Sequence, residues 1–191
     1  MADVRHADKK ERPPELQRRL IEAAMQLERR TMQLYCRFEA IFREPEEVRQ
    51  FWFEMAQHES RHFGALAFVA GLLESEPQRH LPAAPLLTRA HVESFRDLLD
   101  QAEGEVAAGL NLERAFELAL QIETSEIEDL ILDLLHVLKG ASERERAIQL
   151  LIHDLGDLSY MIEKFGGNRL LLTRADRVIE QRLTRLRSVP D

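Results

Sequence analysis

Helix breakers are scarce in this chain and badly distributed for anything but long helices. Eight glycines and seven prolines occur in 191 residues, and six of the prolines precede residue 86. Proline removes a backbone donor and glycine costs helix stability, so runs that lack both keep an unbroken helical ladder. Apolar residues recur every three to four positions along these runs, which predicts an all-α fold. Leu16, Leu20, Ala23, Leu27, Leu34, Phe38 and Ile41 mark helix A over 14–43. Pro45 pushes Glu44 out of helical geometry. Val48, Phe51, Trp52, Met55, Leu66, Val69 and Leu73 then mark helix B over 46–74. The stretch SEPQRHLPAAP, 75–85, is a connector. Thr88 is placed to cap a connecting helix over 89–107, and Asn111 to cap helix C over 112–138. Lys139-Gly140 ends helix C, and Ser142 to Glu145 reads as a capping box opening helix D over 143–165. Gly166-Gly167 stops it, and a last helix spans 169–187. Residues 1–13 are polar and expected to be flexible, and 14–187 to form a single domain. The short A–B and C–D turns predict two antiparallel hairpins, joined by one long crossover.

Composition narrows the function classes. The formal charge of −8 disfavours a nucleic-acid binder. A single cysteine, Cys36, excludes a disulfide framework or a paired-cysteine metal ribbon. The charged N-terminal segment lacks the apolar core of a signal peptide, and no window is long enough to span a membrane. These features predict a cytoplasmic protein with no membrane association.

Four acids repeat in register. Glu28 lies 31 residues before Glu59, Glu123 lies 31 residues before Asp154, and the two pairs are offset by 95. The midpoints fall at the Glu44-Pro45 break and beside Lys139-Gly140. Residues equidistant from the turn of an antiparallel hairpin share a depth, here roughly 20–23 Å from the turn at about 1.5 Å per residue. Both hairpins therefore carry two carboxylates level with each other. His58-Glu59-x-x-His62 repeats as His153-Asp154-x-x-Asp157, and the three polar positions of each cluster span an arc narrow enough to face inward together. Glu126 lies one turn beyond Glu123. Acids from four helices with a nearby imidazole suit divalent metals, iron or manganese among them.

Glu28 with Tyr35 seven residues on, Glu59-Ser-Arg-His62 and Glu123-Thr-Ser-Glu126 resemble the first three helices of the ferritin-like di-iron carboxylate superfamily. The glutamate pair of helix C is similar to the rubrerythrin branch, here without a rubredoxin domain. The resemblance covers 14–74 and 112–165. It implies a ferritin-like four-helix bundle with an additional C-terminal helix, and metal ligands Glu28, Glu59, His62, Glu123 and Glu126. It implies two iron ions and reaction with oxygen or peroxide, or oxidation and storage of iron. In helix D the family has Glu-x-x-His, where this chain has Asp154-Leu-Gly-Asp157. Asp154 and Asp157 either bind metal as shorter, harder ligands or remain as polar core groups, so the second metal is weaker, different or missing.

Tyr35 and Tyr160 either hydrogen-bond a ligand carboxylate or simply pack, and His58 and His153 are candidates to support the ligands from behind. The expected function is a dinuclear, di-iron protein that oxidises Fe(II) or reduces peroxide or oxygen. Iron sequestration in an oligomeric assembly is an alternative. So is a metal-free bundle that dimerises or binds a partner. A homo-oligomer is expected, with an external electron-donor protein where one is needed. The six arginines of 169–187 read as a solvated face or a surface for a second subunit.

Overall fold

A computed structural model describes residues 13–76, 88–125 and 141–187. Six α-helices and no strand occur among the described residues: α1 (Pro13–Ile41), α2 (Glu46–Ser75), α3 (Arg89–Ala108), α4 (Leu112–Glu123), α5 (Ala141–Met161) and α6 (Arg169–Arg187). A π-helical turn, Ile162–Gly166, extends α5. No helix among the described residues is long and apolar enough to cross a membrane.

Local chemistry sets several of the ends. Thr88 accepts from the His91 amide, and His91 Nδ1 accepts in return from the Thr88 amide. Asn111 Oδ1 accepts from the Arg114 amide at 2.9 Å. Gly109 closes α3 in a left-handed conformation that side chains other than glycine rarely adopt. Ser142 is not the N-cap of α5, because the helix already includes Ala141 before it. The predicted stop at residues 139–140 lies outside the described residues.

Contacts along the helices fix their directions. Arg18 donates to the Leu73 carbonyl at one end of α1 and α2, and Phe38 packs edge-on to Trp52 near the other, so the pair is antiparallel. Lys164 meets Glu47 while Asp154 meets His58, so α5 runs antiparallel to α2. Asn168 bonds Glu113, and Gly166 lies against Phe116, so α4 is antiparallel to α5. It follows that α2 and α4 run parallel, and the chain between them must travel back along the molecule. The helix α3 makes that return beside α1, where Arg30 bonds Asp100 and Glu103 at 2.5 and 3.0 Å.

An ion-pair clamp joins α3 to α4. Arg114 binds both oxygens of Glu105 and one of Glu117, at 2.6, 2.8 and 2.5 Å. The guanidinium, helped by Gln101, holds the Glu105 carboxyl down to about 2. The depressed value means that the clamp stabilises above pH 4.5 and fades as Glu105 protonates toward pH 2. Arg114→Ala is expected to cost about 1 kcal/mol at neutral pH. Urea titrations of both proteins at descending pH should show the difference closing as pH falls through that window.

Two expectations are corrected. The last helix is not merely a solvated face: Leu171, Ala175 and Arg182 are buried, and Asp176 accepts from Ser159 of α5 at 2.7 Å. Helix C does not run unbroken through 124–125. It stops at Glu123, where the Arg182 guanidinium takes the Glu123 carbonyl at 2.9 Å. Thr124 folds its hydroxyl back onto the Leu120 carbonyl at 2.7 Å, which also competes with helix continuation.

Candidate metal centre

Four acids are buried among the described residues. Glu28, Glu59, Glu123 and Asp154 come one each from α1, α2, α4 and α5. Each lies on the apolar stripe of its helix. Ala24, Leu27, Thr31 and Tyr35 flank Glu28 at helical spacing, and Met55 and Leu66 bracket Glu59, all of them buried. The same packing that buries the leucines therefore carries the carboxylates inside.

Three ligand-type groups converge. One atom each from Glu28, Glu59 and His62 lie within 4.8 Å of one another. His62 Nδ1 is 3.4 Å from Glu59 Oε2 and 3.7 Å from Glu28 Oε2. Neither carboxylate oxygen of Glu28 accepts a hydrogen bond from a described residue, although the side chain is fully buried. A buried carboxyl without such partners costs on the order of 1–3 kcal/mol.

Across the core, Tyr35 donates its hydroxyl to Glu123 Oε1 at 2.8 Å. Burial pushes the Glu123 carboxyl above its ordinary range, and Asp154 adds to this. The Tyr35 hydrogen bond and the nearby His62 and His58 pull it back. Asp154 Oδ1 lies 2.8 Å from His58 Nδ1.

The sequence repeat is only partly kept in space. The side chains of His58 and His62 are 15% and 21% exposed, whereas those of His153 and Asp157 are 72% and 46% exposed. His153 Nδ1 sits 3.1 Å from Asp157 Oδ2 on the outer surface. Burial pushes the Asp157 carboxyl upward, His153 opposes this, and Asp154 reinforces it. Tyr160 also faces out, and Lys164 donates to its hydroxyl at 2.9 Å. These placements correct the expectation that all three polar positions of each cluster face inward. The cause is the orientation of α5. Leu155, Leu158 and Met161 take its buried face, and His153, Asp157, Tyr160 and Lys164 recur at helical spacing on the opposite one. Glu126 lies outside the described residues.

No family model, curated protein or solved structure matches the chain. The reading of this centre therefore rests on its own residues.

Sequence reasoning missed Arg182. It read the helix by its charge, which is dominated by arginine. The stripe Leu171, Ala175, Val178, Ile179 at helical spacing carries on to Arg182, so the apolar period marks this arginine as inward. The long stem of arginine packs along apolar surface while its head finds a carbonyl. An aromatic layer closes the site toward the turn end of α1 and α2. Trp52 stacks on Phe116 at 5.4 Å and packs on Tyr35, Phe38 and Phe51. On the other side a cavity of about 440 Å³ opens between α3 and α4, lined by His91, Phe95, Gln121, Thr124 and Ser125.

Proposed function

We propose that the protein is a ferritin-like, rubrerythrin-like metal protein that oxidises Fe(II) or reduces peroxide or oxygen in its helical core. The observation that carries this reading is Glu28: a fully buried carboxylate with no hydrogen bond from a described residue, beside a second buried carboxylate and an imidazole. Nothing in apolar packing calls for that set, whereas a divalent cation would satisfy it. The helix directions add support, because parallel α2 and α4 with a returning α3 is the connectivity of ferritin-like bundles.

Glu28, Glu59 and His62 fit a divalent transition metal by donor chemistry. Two carboxylates supply charge, and the imidazole shifts preference away from magnesium and calcium. Iron, when bound, would supply electron transfer to oxygen or peroxide. The protein's part is positioning. Tyr35 orients Glu123, and the aromatic layer around Trp52 keeps bulk water from the turn side. A single cysteine, exposed Cys36, cannot form a paired-cysteine iron site within these 191 residues, so electrons would come from a donor outside them.

The test is anaerobic loading with Fe(II), followed by addition of oxygen or peroxide and optical detection of Fe(III). The protein should speed oxidation well beyond a protein-free control. No acceleration and no retained iron after desalting would sink the reading.

A further inference from the structure

On the reading that this core binds metal, we infer that it is built for one ion per chain, with the His58–Asp154 pair closing the position of a second. The offset of 95 gives each half of the molecule an equivalent set: Glu28, Glu59 and His62 in the first, Glu123, Asp154 and Asp157 in the second. Among the described residues only the first set is assembled, with its three groups within 4.8 Å.

Each member of the second set is engaged elsewhere. Glu123 Oε1 accepts from Tyr35 at 2.8 Å. Asp154 Oδ1 lies 2.8 Å from His58 Nδ1 of α2. A metal reaching Asp154 would have to displace that contact. Asp157 is turned to the surface with His153 at 3.1 Å. It replaces the imidazole of His62, so even its donor chemistry differs.

The packing keeps this asymmetry in place. His58 and Asp154 come from α2 and α5, the antiparallel pair that Lys164 and Glu47 also join. Bringing Asp157 inward would require α5 to turn about its axis. That would expose Leu155 and Leu158, both fully buried now. Rotation of α5 is therefore opposed by the burial of its apolar face.

The inference is tested by titrating the full chain, prepared free of metal, with Mn(II). Bound ion is counted from the loss of the free-ion paramagnetic resonance signal. One equivalent is expected, with the spectrum of an isolated ion. His58→Ala, which releases Asp154, is expected to admit a second, weaker equivalent. Asp154→Asn is expected to keep the single equivalent, and Glu28→Gln to lose it. Two equivalents on the unmodified chain, with a spectrum of coupled ions, would overturn the inference while leaving the metal reading standing. So would loss of the ion in Asp154→Asn with the helix content preserved, or a His58→Ala protein that folds and still binds only one. No Mn(II) bound by the unmodified chain would overturn the metal reading together with the inference. The stoichiometry of the unmodified chain decides the first claim even where a variant fails to fold.

Discussion

Glu28→Leu is expected to abolish metal binding and, in the same protein, to raise the stability of the metal-free form. The two effects have one cause. Glu28 is fully buried, and neither of its oxygens accepts a hydrogen bond from a described residue. Leucine has similar bulk and no polar atoms to desolvate, so the metal-free protein should gain about 1–3 kcal/mol. The loaded protein behaves oppositely. A ligand that binds only the folded state adds about 2.7 kcal/mol at a hundredfold excess over its dissociation constant. Wild type should gain that increment on adding Mn(II) or anaerobic Fe(II), and Glu28→Leu should gain none. Urea unfolding of both proteins with and without metal gives the four values needed. A variant that is less stable without metal would mean that the carboxylate is satisfied in the core. Its burial would then no longer argue for a cation.

The same residue shows what the sequence makes legible. A hairpin converts distance along the chain into depth, so equal spacing about the α1–α2 turn places Glu28 level with Glu59, whereas the turn between Glu123 and Asp154 lies outside the described residues. All four are buried. That inference needs only helix rise and the position of the turn. Rotation about a helix axis is harder. His153 and Asp157 sit on an arc that is compatible with facing the core, but Leu155 and Leu158 compete for that face and win. Polar positions lose such contests unless a partner waits inside, as His58 does for Asp154.

The end of α4 is illegible for a different reason. Glu123-Thr-Ser-Glu126 has no proline or glycine, and apolar residues continue beyond it. What meets the helix end is Arg182, 59 positions away, which claims the Glu123 carbonyl. No local pattern encodes that. The back-bonding of Thr124 is a local hint, but a weak one, since threonine does this inside helices as well.

Trp52→Ala is expected to have the largest effect on folding of the changes considered, about 3–5 kcal/mol. Trp52 is the only tryptophan, and it is fully buried. It packs on Tyr35 and Phe38 of α1, on Phe51 of α2 and on Phe116 of α4, with ring centroids 4.8 to 5.8 Å apart. Removing the indole therefore opens a cavity where three helices meet, and close neighbours cannot collapse into it without losing contacts with one another. Tyr35 is among those neighbours, and it shares the buried face of α1 with Glu28, two turns away. The alanine variant should therefore weaken metal binding as well as stability. Trp52→Phe separates the two consequences. It keeps a ring in the stack and removes an indole nitrogen that donates to no described residue. Its cost should be well below that of alanine, with metal binding retained. Chemical denaturation followed by circular dichroism, which does not depend on tryptophan emission, ranks the three proteins. Equal losses in both variants would mean that the indole nitrogen has a partner and that its hydrogen bond, not ring packing, holds this end of the core together.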